Sequence, residues 1–140
     1  MSIDYSSLRF LVVDDNEPVR EVLCGYLRKF GVQSIVEASD GQEATQILEN
    51  KESGFDIILS DWEMPEKSGL RLLKFVKSEA RFNGIKFIMV SSQAAMEDYR
   101  FSRETLERAD AKLVKPFRGA ELKSVIDKVA RTISLCEKVI

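Results

Sequence analysis

Apolar runs without polar alternation recur along this chain and are separated by segments with a helical period. The runs that we interpret as strands lie at residues 9–15, 32–38, 55–61, 85–92 and 111–114. A strand that is apolar on both sides must be covered on both faces, which is typical of a parallel sheet. Right-handed crossovers then predict an α/β fold, a doubly wound sheet built from five β-α units.

The segments between the runs carry helix start and stop signals. Pro18 stands near the start of the first predicted helix and Gly31 closes it. Asp40 and Glu43 have the spacing of a capping box at the start of the second. A polar fourth helix is predicted within residues 93–108. The apolar positions of the fifth helix are Leu122, Val125, Ile126, Val129 and Ile133.

Composition excludes several classes of function. The chain has 140 residues, the size of one domain, and its net charge of -2 does not favour nucleic acid or an anionic membrane as a partner. No apolar run approaches the ~20 residues of a membrane span, and the N-terminus does not resemble a signal peptide. Cys24 and Cys136 match no metal spacing, so we expect a reduced, cytoplasmic protein.

The chain contains no histidine. This excludes a histidine-based catalytic triad, a histidine-ligated metal and a phosphohistidine of the chain's own. If the protein takes phosphate from a histidine, another protein must supply it.

Polar side chains follow four of the five predicted strands. Asp14 and Asp15 end the first strand, Asp61 the third, Ser91 the fourth and Lys115 the fifth. Each residue alone has an ordinary explanation as a cap, a turn or a surface residue. Because ligands of open α/β sheets bind outside the carboxyl ends of the strands, their joint placement indicates a functional site.

The chemistry of these side chains suits a metal and a phosphoryl group. Clustered carboxylates without His or Cys select a hard divalent ion such as Mg²⁺, and Mn²⁺ is compatible with the same oxygens. Ser91 and Lys115 can donate to phosphoryl oxygens. Asp61 is the best candidate for a nucleophile that forms an aspartyl phosphate, because it stands alone on the middle strand. Asp14 and Asp15 are then expected to hold the metal.

Four segments make the chain resemble the receiver domain of two-component response regulators, most closely the single-domain chemotaxis type. They are LVVDDN at 11–16, DIILSDWEMPEKSG at 56–69, FIMVSSQA at 87–94 and AKLVKPF at 111–117. The resemblance implies a single receiver domain over residues 1–140, with its core at about 8–131. It also implies the flavodoxin-like strand order 2-1-3-4-5.

The resemblance assigns the metal and phosphoacceptor roles. Asp61 would be the phosphoacceptor and would also contact the metal. Asp15 would bind Mg²⁺ directly, whereas Asp14 would act mainly through metal-bound water. Glu63, two residues after the acceptor, would offer its backbone carbonyl.

The resemblance also assigns the phosphate-binding roles. Ser91 would be the switch hydroxyl that moves to the phosphate. Lys115 would pair with the phosphate, and its peptide bond to Pro116 is often cis in this family.

Three positions are expected to modulate the switch. Lys112 stands where the family usually has an aromatic side chain, so the usual coupling of hydroxyl and aromatic ring is in question. The side chain of Glu63 can reach the metal or repel the phosphate. Gln93, two residues beyond Ser91, can form a hydrogen bond or position a hydrolytic water. In addition, Trp62 is expected to face a rim loop.

The leading hypothesis is a stand-alone response regulator that is not a turnover enzyme. Apart from Mg²⁺-dependent self-phosphorylation and slow autodephosphorylation, it would act by binding proteins. A histidine kinase or a histidine phosphotransfer protein would phosphorylate Asp61. A downstream protein would bind the face formed by the fourth helix, the fifth strand and the fifth helix. The chain ends soon after the fifth helix, so we expect output by protein contact or phosphate relay.

Two other hypotheses remain open. Lys112 motivates a phosphate-independent interaction module that kept the receiver fold. An aspartyl-phosphate phosphohydrolase would use Glu63 as a general acid, but the chain has no spare length for a domain that encloses a substrate.

Overall fold

Five parallel strands form the centre of the molecule. The computed structural model describes residues 3–50, 54–62, 69–92 and 108–139. The strands are β1 (Arg9–Val13), β2 (Ser34–Ala38), β3 (Ile57–Asp61), β4 (Lys86–Ser92) and β5 (Ala111–Lys115). They pair in the order β2-β1-β3-β4-β5, and every neighbouring pair is parallel. The predicted strand order and the doubly wound fold class are confirmed.

Four helices connect or follow the strands in the described part of the chain. They are α1 (Glu17–Phe30), α2 (Gly41–Asn50), α3 (Gly69–Ser78) and α4 (Gly119–Val139). The helix α4 corresponds to the fifth helix predicted from the sequence. The fourth predicted helix falls almost entirely on residues 93–107, which lie outside the described residues. None of the described helices is both long enough and apolar enough to cross a membrane.

The predicted helix ends have the expected hydrogen bonds, with one difference. Gly31 ends α1 with a φ of 110°, a left-handed conformation that glycine adopts without strain. At the start of α2, Oδ1 of Asp40 accepts a 2.8 Å hydrogen bond from the N–H of Glu43. The side chain of Glu43 accepts from the N–H of Ser39 at 3.0 Å, one residue before the position that a capping box predicts.

The two faces of the sheet are covered by different helices. One apolar cluster joins α1 and α4 to side chains such as Phe10, Leu59 and Ile88, which are fully buried. The other joins α2 and α3 to the opposite sides of the same strands, including Leu11 and Ile58. Burial on both faces explains why these strands lack polar alternation.

The carboxyl ends of four strands meet at one edge of the sheet. Asp14 follows β1, whereas Asp61, Ser91 and Lys115 lie at the ends of β3, β4 and β5. Parallel pairing places these ends side by side, with Asp61 opposite Val90. The fold therefore gathers the polar residues that the sequence analysis selected.

Candidate acidic site at the carboxyl edge of the sheet

Three carboxylates converge at this edge. One carboxylate oxygen from each of Asp14, Asp15 and Asp61 lies within 4.8 Å of the other two. Asp14 is fully buried and Asp61 is 9% exposed, whereas Asp15 faces solvent. Charges this close repel each other unless a cation lies between them, and a site made of oxygen atoms alone suits Mg²⁺. The donor set therefore fits a hard divalent cation, with Asp15 accessible from solvent.

Lys115 brings a positive charge to the buried carboxylates. Its Nζ atom lies 3.3 Å from Oδ1 of Asp61 and 3.5 Å from Oδ2 of Asp14. The peptide bond between Lys115 and Pro116 is cis, as the resemblance implied. The ammonium group thus offsets part of the negative charge and remains partly open to solvent.

The environment of Asp61 changes its acidity. Burial raises the pKa of Asp61 to about 6, although the neighbouring Lys115 lowers it. The charges of Asp14 and Asp15 also raise it, and the value of about 6 is the net of these influences. A carboxylate with an altered pKa among charged partners at a strand end is a candidate functional group.

Asp14 is held in place by hydrogen bonds on its main chain and side chain. Its N–H donates to the carbonyl of Ala38 at 3.1 Å, which extends the pairing of β1 with β2. Its Oδ1 accepts from the N–H of Asn16 at 2.9 Å. The side chain of Asn16 in turn accepts from the N–H of Val19 and caps α1. The acidic loop is therefore continuous with the first turn of α1.

Ser91 provides a buried hydroxyl at the end of β4. The residue is 1% exposed. Its Oγ atom has no hydrogen-bond partner among residues 3–50, 54–62, 69–92 and 108–139. Native proteins usually satisfy buried polar groups, so a buried hydroxyl at this edge of the sheet, without a partner among the described residues, is available to donate to a bound group.

Trp62, directly after Asp61, is buried in the apolar core. Trp62 is 6% exposed and belongs to the apolar cluster on the α2 and α3 face. The main-chain N–H of Trp62 donates to the carbonyl of Val90 at 3.0 Å, which continues the pairing of β3 and β4. Strand alternation explains the burial, because Trp62 points to the same face as Ile58.

Gly69 is a structural part of the site that the sequence analysis missed. Its N–H donates to the carbonyl of Trp62 at 2.9 Å, where α3 begins. A Cβ atom on Gly69 would lie 2.3 Å from the carbonyl oxygen of Asp61 and 2.8 Å from the Cα atom of Trp62. Glycine is therefore required for the start of α3 to approach the end of β3 this closely.

The predicted modulators are only partly described. Glu63 and Gln93 lie outside the described residues, and their roles remain predictions. Lys112 lies on β5 opposite Met89, and its side chain is exposed to solvent. A solvent-exposed position suits a lysine side chain. It does not match the apolar environment that a switch aromatic would occupy.

Comparison with known proteins assigns the chain to a family. The family model for the response regulator receiver domain matches residues 10–127. The chain belongs to the family of response regulator receiver domains.

Relatives and solved structures agree with this assignment. The chain is 32% identical over 127 residues to the chemotaxis protein CheY-3 of Vibrio cholerae, covering 88% of this chain and 92% of that protein. It is 40% identical over 126 residues to the phosphate regulon transcriptional regulatory protein PhoB of Klebsiella pneumoniae. That match covers 90% of this chain but 53% of PhoB, so the chain spans about half of that relative.

One solved structure with a similar fold is a complex with Mg²⁺-BeF. The response regulator protein TrrA of Thermotoga maritima, in complex with Mg²⁺-BeF, has a TM-score of 0.73 and 31% sequence identity. The match covers 87% of this chain and 98% of TrrA.

Proposed function

We propose that this protein is a signalling switch that accepts a phosphoryl group on Asp61, with Mg²⁺ held by Asp14, Asp15 and Asp61. The phosphoryl donor is a histidine kinase or a histidine phosphotransfer protein. The observation that carries the proposal is the convergence of three carboxylates, the Lys115 ammonium group and the buried Ser91 hydroxyl at one edge of the sheet. The Mg²⁺-BeF complex of TrrA supports it by similarity.

The chemical step is the transfer of a phosphoryl group between two nucleophiles. A carboxylate oxygen of Asp61 attacks the phosphorus atom and forms a new O–P bond. The bond from phosphorus to the donor atom breaks, and the leaving group takes the electron pair and is then protonated. When bound, Mg²⁺ neutralises charge on the phosphoryl oxygens. Lys115 contributes positive charge beside Asp61, and Ser91 donates a hydrogen bond to a phosphoryl oxygen.

The output of the switch is a change in protein binding. A phosphoryl group adds negative charge and acceptor oxygens where the metal-free protein has one carboxylate. Movement of Ser91 toward that group favours a second packing at the end of β4. We place the contact with a downstream protein on the surface that includes the segment 93–108, β5 and α4. The protein has no turnover activity beyond its own phosphorylation and slow dephosphorylation.

The similarity to CheY-3 supports a chemotaxis pathway as the setting. Receiver domains also occur in other pathways, as the match to PhoB shows. We therefore propose two-component signalling in the cytoplasm, with chemotaxis as the first pathway to test.

A second candidate function is a phosphate-independent interaction module. The exposed lysine at position 112 favours it, because a solvated cation does not report phosphorylation as a rotating aromatic side chain does. This candidate predicts that partner binding is the same with and without phosphorylation.

The proposed function is tested with acetyl phosphate as the donor. The wild-type protein is incubated with acetyl phosphate and Mg²⁺, and phosphorylation is followed by intact mass. We expect phosphorylation that requires Mg²⁺ and is lost in Asp61→Asn. A wild-type protein that binds Mg²⁺ but accepts no phosphoryl group from acetyl phosphate, phosphoramidate or a phosphorylated phosphotransfer domain would favour the interaction module.

A further inference from the structure

Arg20 contacts the acidic loop from the first turns of α1. Its Nη1 atom donates to the carbonyl oxygen of Asp14 at 2.7 Å. Its Nε atom lies 3.0 Å from Oε1 of Glu37 on β2. The guanidinium group therefore connects the loop after β1 to the neighbouring strand.

We propose that Arg20 is a positioning residue for Mg²⁺ binding, which acts through the main chain of Asp14 and does not touch the metal. The inference rests on the proposed function, because it assigns a role to Arg20 in the same site. Arg20 lies six positions after Asp14 and is not one of the three clustered carboxylates.

The main chain of Asp14 is fixed from both sides. Its N–H donates to the carbonyl of Ala38 on β2, and its carbonyl accepts from Arg20. Arg20 is itself anchored to β2 through Glu37. Both main-chain polar groups of Asp14 are therefore hydrogen-bonded. These bonds also fix the backbone position from which the next residue, Asp15, begins. Metal sites depend on such outer contacts because they orient the ligands.

The geometry of Arg20 suits this task. The forked guanidinium group donates in two directions at once, to a carbonyl and to a carboxylate. The side chain of Arg20 is 16% exposed, and that of Glu37 is 41% exposed. A pair with one exposed partner contributes little to global stability. The bond to the Asp14 carbonyl is the shielded one, so its main effect is local.

The direction in which Mg²⁺ affinity changes when Arg20 is removed distinguishes a positioning role from a purely electrostatic one. A positive side chain near a cation site weakens cation binding by Coulomb repulsion. Glu37 offsets this repulsion by pairing with Arg20. If Arg20 acted only through its charge, its removal would leave Mg²⁺ binding unchanged or make it tighter. A positioning role predicts weaker binding.

The test is a Mg²⁺ titration of the full chain, followed by the emission of Trp62 and checked by calorimetry. Trp62 is the single tryptophan and directly follows Asp61. We expect Arg20→Met to raise the Mg²⁺ dissociation constant about 10-fold, the lower end of what outer contacts of metal sites contribute. The matched control is Arg28→Met, which removes the same charge from an exposed position on the same helix. We expect it to leave the constant unchanged or slightly lower.

A second variant covers the case in which Arg20→Met does not fold. Arg20→Lys keeps the charge but cannot form both contacts at once, and we expect a dissociation constant between those of the wild type and Arg20→Met. In EDTA, the urea midpoint of Arg20→Met should match that of Arg28→Met. This separates a local effect on the metal site from a loss of global stability.

The outcomes separate this inference from the proposed function. Unchanged or tighter Mg²⁺ binding in both Arg20 variants, with normal binding by the wild type, would overturn the positioning role alone. A wild-type protein that binds no Mg²⁺ at millimolar concentration would overturn the metal site and this inference together.

Discussion

The ammonium nitrogen of Lys115 lies 3.3 Å from Oδ1 of Asp61, although β4 separates their two strands in the sheet. The contact therefore spans the carboxyl edge from β5 to β3. The side chain of Asp61 is 11% exposed and that of Lys115 is 26% exposed, so solvent only partly screens the pair. This contact stabilises the ionised form of a carboxylate that burial disfavours.

Removal of the Lys115 charge should destabilise the metal-free protein at neutral pH. We expect Lys115→Met to lower the free energy of unfolding by about 1–2 kcal/mol in EDTA at pH 7.5, less than for a fully buried pair. The loss should shrink at pH 4.5, because Asp61 is then protonated. Urea unfolding at the two pH values measures this. Lys128→Met, at an exposed position on α4, is the control and should change stability by less than about 0.5 kcal/mol. A larger loss at pH 4.5 than at pH 7.5 would contradict the assignment.

Replacement of Asp61 should stabilise the metal-free protein. Burial raises the pKa of Asp61 from 3.8 to about 6, so the folded state binds this proton more tightly than the unfolded chain. The stabilising effect of the proton is complete below pH 3.8 and is lost as pH rises through 6. At pH 7.5 the ionised group thus costs stability on the order of 1–3 kcal/mol.

The expected result is a pH-dependent gain in Asp61→Asn. In EDTA, its free energy of unfolding should exceed that of the wild type by about 1–3 kcal/mol at pH 7.5 and by much less at pH 4. Mg²⁺ should raise the stability of the wild type more than that of the variant, because the cation favours the carboxylate. Equal stability of the two proteins at pH 7.5 would show that burial of the ionised Asp61 side chain does not destabilise the folded state.

A methyl group at position 69 should disturb the end of β3. We expect Gly69→Ala to lower the free energy of unfolding by about 2 kcal/mol or more, because its Cβ atom would overlap backbone atoms of Asp61 and Trp62. Mg²⁺ affinity should fall as well. Gly25→Ala is the matched control, since a Cβ atom there meets nothing within 4 Å. Its position inside α1 predicts a gain of about 0.5–1 kcal/mol. Similar effects of the two substitutions would rule out the close approach at Gly69.

The Ser91 hydroxyl should matter for the bound state and not for the fold. Since its Oγ atom has no partner within the described residues, Ser91→Ala should leave the free energy of unfolding within about 0.5 kcal/mol of the wild type or raise it. Beryllofluoride with Mg²⁺ mimics the phosphoryl group, and its affinity should fall several-fold in the variant. Ser60→Ala, which removes a 3.0 Å bond to the carbonyl of Asp61, tests whether loss of any buried hydroxyl has this effect. Unchanged beryllofluoride affinity in Ser91→Ala would remove Ser91 from the site.

Much of the fold could be predicted because its signals are carried by side chains. Apolar runs without alternation gave the parallel sheet, and acids and a lysine at the ends of those runs gave the composition of the site. Strand alternation also places Trp62 on the same side of the sheet as Ile58, in the apolar cluster with α2 and α3.

Two parts of the site could not be predicted from the residues alone. Arg20 acts on a backbone carbonyl, and a carbonyl at position 14 has no sequence signal that marks it as an acceptor. Gly69 is needed because two backbones approach closely in space, and the sequence does not give that distance. Both depend on how β1, β3 and the following helices pack together.

The central claim is that Asp61 accepts the phosphoryl group, and site-specific reduction tests it most directly. The protein is incubated with Mg²⁺ and phosphoramidate, its intact mass is measured, and the acyl phosphate is then reduced with borohydride. Peptide mapping should find one phosphoryl group per chain and conversion of Asp61 alone to homoserine. A protein that binds Mg²⁺ but gains no phosphoryl group, or a reduced residue other than Asp61, would contradict the account.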